Sequence, residues 1–272
     1  MAKVKLSGPP MEIVHVGSAF ASQKNAHRGA VLILASGPSS AELDIHRWAG
    51  VPIITMNGAV IKLLEASIRP LYYVCSDRSF QEQQPALYEA AVEQAHGLAL
   101  WPEDIQRLSS RYAGKAYALR KAPRASFRDY FGRDQGQAVR LVSPFSKRAR
   151  DIGFSKDMDY GVFDVRTVAY ICLQLAYHLG FDEIYLAGVD LNVQAPRFYE
   201  TAPGQSAPCG LDQHLQTRIL PAMELAAGVL AAEGRRVVNL SQQSLVPEHV
   251  FPRACPHQVQ RELNRPQRAL AS

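Results

Sequence analysis

The stretch TVAYICLQLAYHLGFDEIYLAGVD, residues 167–190, decides the fold of this chain. Residues 167–179 are apolar on almost every side of a helix, and Gly180 stands where a left-handed residue commonly ends one. Residues 183–189 form a short apolar run without alternation, which is typical of a parallel strand buried on both faces. Asp190 follows the carboxyl end of that strand. The stretch therefore predicts one helix and strand unit of an α/β sheet.

Four other parts of the chain repeat this pattern. Residues 30–35 (AVLILA), 51–56 (VPIITM) and 71–75 (LYYVC) are short apolar runs, each followed by a polar turn. A helical stretch over 215–233 ends at Gly234, and residues 236–240 give one more strand. The alternation of strands, turns and helices predicts an α/β fold with a Rossmann-like, doubly wound and mostly parallel sheet.

Polar residues follow the first three of these strands, namely Ser36, Gly37, Pro38 and Ser39, then Asn57, then Ser76 and Asp77. Ligands of open α/β sheets bind beyond the carboxyl ends of the strands, so these residues are candidates for one polar cleft. The spacing of Ser39 and Glu42 matches a capping box and predicts a helix that begins at Ser39, whose free N–H groups would suit a phosphate. Each residue is also an ordinary turn former, and the turn is neither G-x-G-x-x-G nor a P-loop.

Charge is distributed unevenly along the chain of 272 residues, which has 30 Lys and Arg against 25 Asp and Glu. Twelve of the basic residues fall between positions 107 and 150, where only Asp129 and Asp134 oppose them, so this segment carries +10 and the remainder −5. A basic segment in an acidic body indicates an anionic partner, such as phosphate, an acidic glycan, a lipid headgroup or nucleic acid. The alternative is an arginine-rich surface that is merely solvated.

These patterns also predict the domain organisation. We expect an N-terminal extension over residues 1–29, a single α/β domain over 30–250 and a basic, flexible tail over 251–272. Residues 107–160, in which arginines interleave with aromatic residues, are predicted to form a basic lid or insertion within the domain.

Composition excludes several classes of protein. With 47% hydrophobic and 20% charged residues, the chain is not a disordered, coiled-coil or collagen-like sequence. It has no apolar run of membrane-spanning length, and from its first residues we expect no secretion signal. Its four cysteines are scattered, which is typical of a reducing compartment and argues against a thiolate zinc site. We therefore expect a cytoplasmic protein.

One motif suggests a metal ion. Asp157-Met158-Asp159 matches the D-x-D string that binds a divalent ion in many nucleotide-sugar transferases, and hard cations do prefer carboxylates. The triplet follows irregular sequence rather than the end of a strand. We therefore expect a surface loop there and no metal site.

Six segments carry a family resemblance, and they are, in chain order, VLILASGPSSAELD, ITMNGA, YYVCSDRSFQEQ, RTVAYICLQLAYHLGFDEIYLAGVDL, DQHLQTRILPAMELA and NLSQQSLVP. They resemble the bacterial sialyltransferases of glycosyltransferase family 42. They resemble more closely the relatives of lipopolysaccharide core biosynthesis that are thought to add a residue of 3-deoxy-D-manno-octulosonic acid (Kdo). The resemblance covers roughly residues 30–250, with the basic insertion matching least well.

The resemblance implies an inverting, metal-independent glycosyltransferase on a GT-A-type variant of the Rossmann-like fold. Its donor would be a CMP-activated ulosonic sugar, with Kdo favoured and sialic acid second, and it would need no cofactor. The implied acceptor is a lipid-linked core oligosaccharide at the inner face of the inner membrane. The anionic surface of that membrane is a further candidate partner, nucleic acid is not expected, and the oligomeric state stays open.

The resemblance also assigns site residues by position. Those expected at the nucleotide or donor sugar are Ser36, Gly37, Ser39, Asn57, Ser76, Asp77, Arg166, Thr167, Asp190, Asn192 and Ser244. His214 falls on the position of the family's catalytic base, and a neutral imidazole can accept the proton that the acceptor hydroxyl loses as it attacks.

The leaving phosphate needs hydrogen-bond donors or cations. The sialyltransferases use two tyrosines after the strand aspartate, whereas this chain has Asn192 at the first position and Phe198-Tyr199 across the second. We expect Tyr199 to serve, with Arg166 or Arg197 as a cationic replacement. This departure weakens the case for sialic acid and leaves room for Kdo.

Two other classes of function stay open. One is a different Rossmann-like nucleotide-binding enzyme, such as a pterin diphosphokinase-like or methyltransferase-like protein, although no G-x-G-x-x-G is present and no acidic residue ends the first two strands. The other is a non-enzymatic module that binds polyanions through residues 107–150.

Overall fold

The computed structural model of the chain describes residues 16–108, 112, 114–125, 136–141, 152–192 and 214–263. Its strands, in chain order, are β1 Val16–Ser18, β2 Ala30–Leu34, β3 Ile53–Met56, β4 Tyr72–Cys75, β5 Gly97–Leu100, β6 Lys115–Ala118, β7 Ala138–Arg140, β8 Gly153–Ser155, β9 Glu183–Ala187 and β10 Arg236–Asn239. Eight of them form one parallel sheet, while β7 and β8 form a separate antiparallel pair.

The helices, in chain order, are α1 Ile61–Glu65, α2 Arg78–Gln83, α3 Pro85–Gln94, α4 Pro102–Ile105, α5 Val168–Leu179, α6 Leu220–Ala232 and α7 Pro256–Leu263. Helix α5 begins after Thr167 and ends at Gly180, whose φ of 100° is the left-handed conformation expected there. A π-helical turn, Leu215–Ile219, precedes α6. Within the described ranges, no helix has the length and apolar character needed to cross a bilayer.

The strand order in the main sheet is β1-β6-β5-β4-β3-β2-β9-β10. From β2 the chain steps outward through β3, β4, β5 and β6 on one side, and through β9 and β10 on the other. The order therefore reverses between β2 and β9, which pair in register from Ala30 with Glu183 to Leu34 with Ala187. This is the doubly wound, parallel architecture that the sequence predicts, and it creates a crevice at the carboxyl ends of β2 and β9.

Layers of apolar residues cover both faces of the sheet. Alternate residues of β2 point to opposite sides, so that Val31 and Ile33 join one core cluster while Leu32 and Leu34 join another. The first cluster is formed with α5 and α6, and the second with Trp48, α1 and α7. Both faces are buried, which explains why the strands are apolar without alternation.

Both predicted ends of the domain need correction. The segment from Val16 to residue 29 belongs to the domain, because β1 pairs with β6 and Phe20 is buried in the core against Tyr117. The prediction of a flexible tail is wrong for residues 251–263, since Phe251 and Val259 are buried and Pro256–Leu263 is helical. The apolar residues of this part are few and widely spaced, yet Phe251 packs in the first core cluster and Val259 in the second.

The predicted lid over residues 107–160 also needs correction. Lys115–Ala118 is a strand of the main sheet, paired with β5 and β1. β8 packs on α5, where the Tyr170 hydroxyl donates a 2.9 Å hydrogen bond to the Gly153 carbonyl. These parts of the segment are integral to the core. Much of the remaining basic segment lies outside the described residues.

The helix predicted from the capping box at Ser39 is absent. Short 3-10 turns, Pro38–Ser40 and Ile45–Trp48, occupy this stretch, and the Ser39 side chain binds elsewhere. The strands Gly97–Leu100 and Lys115–Ala118 were not predicted, because glycine, alanine and lysine dilute their apolar pattern.

Candidate functional site

Topology places most of the predicted site residues along one edge of the sheet. Ser36 follows β2, Asn57 follows β3, Ser76 follows β4 and Asp190 follows β9, all at the carboxyl ends of parallel strands.

The two predicted site residues at helix starts reach the same edge. Helices α5 and α6 each lead into a parallel strand, β9 and β10, and so each must begin near the carboxyl edge and end near the amino edge. Thr167, before α5, and His214, before the π-helical turn, therefore lie on the same side of the sheet as the strand ends.

At the crevice, the loops after β2 and β9 are joined directly. The Asp190 carboxylate accepts hydrogen bonds from the Ser39 backbone N–H at 3.0 Å and from the Ser39 hydroxyl at 2.9 Å, both at Oδ2. The Gly37 N–H donates to the Gly188 carbonyl at 2.9 Å. A Cβ on Gly37 would lie 2.1 Å from Asp190 Oδ2, so the approach requires glycine.

This junction changes the role expected of the Ser-Gly-Pro-Ser turn. Most of its N–H groups are already engaged, since Gly37 donates to the Gly188 carbonyl and Ser39 to Asp190, while Pro38 has no N–H. A carboxylate therefore occupies the place where a phosphate was expected. In this conformation the turn positions Asp190 rather than presenting free donors to the nucleotide.

Next to the junction lies a cavity of about 400 Å³. Its walls come from the two loops, from the segment after β10 and from α7, and they comprise Pro38, Ser39, Glu42, Leu43, Asp44, Asp190, Asn192, Leu240, Gln242, Gln243, Cys255, Pro256, His257 and Gln260. These described lining residues include Glu42, Asp44 and Asp190 but no lysine or arginine. The walls are therefore rich in hydrogen-bond acceptors and carry net negative charge.

Two buried side chains in these walls keep an oxygen without a partner in the described structure. Asp190 is 3% exposed and its Oδ1 has no hydrogen bond, and Gln260 is 4% exposed with its Oε1 likewise unpaired. Both oxygens have almost no accessible surface, so a donor in the cavity would reach them only with a small side-chain shift, which would recover the roughly 1–3 kcal/mol that an unsatisfied buried acceptor costs. The cavity thus suits a neutral, hydroxyl-rich group.

Asn57 has a third unsatisfied oxygen at the same edge. Its φ of 43° is left-handed, and its buried Oδ1 has no partner in the described structure. A strained backbone with an unpaired polar group is a feature of binding sites rather than of ordinary turns.

The remaining predicted contacts near the strand ends are structural in this conformation. The Ser244 hydroxyl donates to the Val189 carbonyl at 2.6 Å, and the Leu245 N–H donates to the Asp190 carbonyl at 2.9 Å, so this turn supports Asp190. Asp77 caps α2 by accepting from the N–H and hydroxyl of Ser79. Ser76 accepts at its carbonyl a hydrogen bond from the Trp101 indole.

Four further residues of the prediction lie in less enclosed positions. Arg166 is exposed, with a left-handed φ of 74° fixed by its N–H bond to Asp164 Oδ1. Thr167 and His214 are half-buried and Asn192 is exposed. Tyr199 and Arg197 lie outside the described residues, so the leaving-group assignment keeps the status of a prediction.

The two carboxylates of the D-x-D motif make contacts within the protein. Asp157 Oδ2 pairs with Lys24 Nζ at 2.9 Å, and its Oδ1 accepts the Asp159 N–H. Asp159 in turn accepts the backbone N–H groups of Phe20 and Ala21. All four oxygens are engaged, and no cluster of three metal-binding side chains occurs among the described residues.

Two buried polar side chains fasten the segment around these aspartates to α5. The Gln174 amide accepts the N–H groups of Ser155 and Phe163 and donates to the carbonyls of Phe163 and Tyr170. His178 accepts the Met158 N–H at Nδ1 and contacts the Phe20 carbonyl at 2.9 Å through Nε2, which fits the neutral tautomer with its proton on Nε2. Burial lowers the pKa of His178, while burial raises that of the Cys75 thiol to about 12. Neither group is poised for chemistry.

Sequence reasoning missed the contribution of residues 240–260 to the cavity. Gln242, Gln243, His257 and Gln260 line it, yet only Ser244 was predicted from this part. Pro256 at the first turn of α7 is a helix-start signal that could have identified this helix.

Comparisons with known proteins agree with this architecture. Residues 128–254 match the family described as 3-deoxy-D-manno-octulosonic acid transferase WaaZ. A probable 3-deoxy-manno-octulosonic acid transferase of Escherichia coli (strain K12) is 26% identical over 62% of this chain and 64% of its own length. That of Salmonella typhimurium (strain LT2) is 23% identical over 81% of this chain and 85% of its own length. The resemblance to Kdo transferases is confirmed.

A solved structure supports the fold. The MAf glycosyltransferase from Magnetospirillum magneticum AMB-1 superposes with a TM-score of 0.52 and 18% identity, over 90% of this chain and 36% of that chain. The chain therefore has an α/β glycosyltransferase fold. It spans 64% of the length of the Escherichia coli relative.

Proposed function

We propose that this chain, as a relative of the Kdo transferases, transfers a ulosonic sugar from its CMP-activated donor to a lipopolysaccharide core acceptor, with Kdo favoured over sialic acid. The observation that carries the proposal is the cavity at the crevice between β2 and β9. Its unpaired Asp190 and Gln260 oxygens call for hydroxyl or amino donors, which the ribose and base of a nucleoside supply. Such crevices are where α/β folds bind nucleotides.

The donor sugar would lie between this cavity and the start of α5. Asn57 and Thr167 reach the same edge of the sheet, and the unpaired Asn57 oxygen would accept from a sugar hydroxyl. Arg166, exposed beside Thr167, would supply positive charge for the leaving phosphate, and Tyr199 would supply a hydroxyl hydrogen-bond donor. The cavity walls themselves are acidic, so the phosphate would lie outside them.

His214 would be the general base. An acceptor hydroxyl oxygen forms a bond to the anomeric carbon as the bond from that carbon to the CMP phosphate oxygen breaks, and the electron pair leaves with CMP. The hydroxyl proton passes to the neutral imidazole of His214. Attack on the face opposite the leaving group inverts the anomeric configuration. None of these steps needs a metal ion or a cofactor.

Exposed basic residues support the proposal of an anionic acceptor. Arg120, Lys121 and Arg124 are exposed, and they would attract a phosphorylated, lipid-linked core at the anionic inner face of the membrane. Arg140 does not contribute, because it is 4% exposed and donates to the Pro123 carbonyl and the Tyr160 hydroxyl.

The test offers CMP-Kdo or CMP-sialic acid to the purified protein in EDTA, with a Kdo-lipid A core acceptor, and measures CMP release. We expect release with CMP-Kdo, and a loss of about 100-fold or more in His214→Ala. His46→Ala, which removes an exposed histidine from a 3-10 turn, is the matched control and should keep full activity. Release no faster than in His214→Ala with either donor would overturn the proposal. Salt-sensitive binding of any polyanion without CMP release would favour the non-enzymatic module instead.

A further inference from the structure

Trp101 stands at the carboxyl end of β5, on the same edge as the strand-end residues described above. It is half-buried, with part of its ring packed on the core and part accessible. Its indole N–H donates a 3.0 Å hydrogen bond to the Ser76 carbonyl. The one polar group of the side chain is thus used inside the protein, and the accessible part of the ring is apolar.

Lys121 lies over the face of this ring, with its Nζ 5.9 Å from the ring centroid. Its side chain is exposed, and it forms no ion pair with any carboxylate in the described part of the chain. A cation next to an aromatic face attracts it weakly, by about 0.5–1 kcal/mol at an exposed site, so Lys121 stays available to an anion.

The backbone that carries Lys121 is held rigidly. Lys121 forms a bridge with Val162, in which the Ala122 N–H donates to the Val162 carbonyl and the Val162 N–H donates to the Arg120 carbonyl. Gly161, at a φ of 120°, permits this approach, since a Cβ there would lie 2.8 Å from the Ala122 nitrogen. The backbone that carries Lys121 is therefore fixed beside the Trp101 strand end without a ligand, while its exposed side chain can still adjust.

This pair lies close to the proposed donor site. Val162, which pairs with Lys121, is four residues before Arg166 and five before Thr167. Four residues span at most about 14 Å, the length of a disaccharide and a little more. On the other side, the Trp101 indole is bonded to Ser76, one strand away from Asn57.

We infer that Trp101 and Lys121 form the subsite for the acceptor, and that it binds a sugar ring bearing an acidic group. The Lys121 ammonium would move from above the indole to pair with the carboxylate or phosphate of the sugar, and the apolar C–H face of the pyranose would stack on the ring. Arg120, exposed and adjacent, adds positive charge. This inference rests on the proposed transferase function, because it names the acceptor of that reaction.

Binding is tested first without catalysis. The chain has two tryptophans, and Trp48 is fully buried, so a Trp48→Phe variant reports on Trp101 by fluorescence. We would titrate it with a deacylated core oligosaccharide that contains Kdo, with glucosamine 6-phosphate and with glucose. We expect a saturable change with the first two, and affinity about fivefold or more weaker for glucose. If only the oligosaccharide gives a saturable change, the acidic group that Lys121 binds is a carboxylate. If only glucosamine 6-phosphate does so, that group is a phosphate. Equal responses to all three would overturn the inference.

Variants then separate this subsite from the donor site. Lys121→Ala should raise the acceptor KM about tenfold or more. Lys121→Arg, which keeps the positive charge, should have an acceptor KM near that of the wild type. The donor KM should change less than about twofold in both variants. Trp101→Phe keeps a ring and is the milder companion to Trp101→Ala. Lys115→Ala, an exposed lysine at the amino end of β6, is the matched control and should leave both constants unchanged. Equal acceptor KM values in Lys121→Ala and Lys115→Ala would contradict the inference. If the wild-type protein transfers no sugar, the proposed function fails, whereas the fluorescence titration still decides whether an acidic sugar binds.

Discussion

Asp190 and Ser39 lie 151 residues apart in the chain and are joined by two hydrogen bonds, from the Ser39 N–H at 3.0 Å and the Ser39 hydroxyl at 2.9 Å. Both end on Asp190 Oδ2, which leaves the buried Oδ1 without a partner in the described structure. One oxygen of this carboxylate thus ties β2 to β9 at the crevice, and the other is the acceptor that the proposed function assigns to the nucleoside. The pair links the topology of the sheet to its proposed function.

The first prediction concerns that free oxygen. Asp190→Asn keeps an oxygen to accept from Ser39 but replaces an acceptor with an amide, so CMP should bind about tenfold or more weakly. Isothermal titration calorimetry with CMP measures the change. Asp182→Asn, at the exposed amino end of β9, is the control and should bind CMP as the wild type does. Unchanged CMP affinity in Asp190→Asn would show that the nucleoside does not use this cavity.

The second prediction concerns the close approach of the two loops. Gly37→Ala would bring a Cβ to within 2.5 Å of the Gly188 carbonyl and even closer to Asp190, so the loops must separate. We expect a loss of about 2 kcal/mol or more in the free energy of unfolding, together with weaker CMP binding.

Gly228→Ala is its control. Gly228 is exposed inside α6 with no atom within 4 Å of a Cβ, so the same change should stabilise the protein by about 0.5–1 kcal/mol. Urea unfolding compares the two variants. Similar urea midpoints of unfolding for the two variants would mean that the loops after β2 and β9 can separate at little cost and that glycine is not required at position 37.

Sequence patterns predicted the parts of the fold whose energetics are local. The runs at 30–35, 51–56 and 183–189 are strands because they are apolar on both faces, and the structure places them centrally. β1 and β6 were not predicted, because alanine, serine and lysine have low strand propensity. These two strands form by pairing with each other across a long stretch of chain.

The site was predictable only in outline. Topology alone put Ser36, Asn57, Ser76 and Asp190 on one edge, as the sequence indicated. The engagement of Ser39 with Asp190 could not be read from the turn, because the partner lies in another loop. The contribution of Gln260 likewise depends on how α7 packs over the second core cluster.

A third prediction tests the buried amide of Gln174. This side chain makes four hydrogen bonds to backbone groups and is fully buried. Gln174→Leu fills similar space but leaves the N–H groups of Ser155 and Phe163 unpaired, which should cost about 3 kcal/mol or more. Chemical denaturation gives the value. A loss below about 1 kcal/mol in the leucine variant would contradict this role.

A fourth prediction concerns pH. Burial lowers the pKa of His178 from its ordinary value of 6.5, so the unfolded chain binds a proton there more readily than the folded protein does. The stability that neutral His178 contributes is therefore present above pH 6.5 and falls as the pH drops below that value.

We would measure unfolding of wild type and His178→Asn near pH 7.5 and near pH 5.5. The variant should be less stable by about 2 kcal/mol at the higher pH, and the gap should narrow at the lower pH. His249→Asn, at an exposed position, is the control for other histidines, and its free energy of unfolding should equal that of the wild type at both pH values. A gap that widens on acidification would mean that His178 is protonated in the folded protein.

The central claim is that this chain adds a ulosonic sugar to a core acceptor with His214 as the base. Mass spectrometry of a Kdo-lipid A core acceptor, after incubation with CMP-Kdo and the protein in EDTA, tests it most directly. The account predicts acceptor heavier by one Kdo residue with the wild type and with His46→Ala, and unmodified acceptor with His214→Ala. Unmodified acceptor with the wild type, or equal product with His214→Ala, would contradict it.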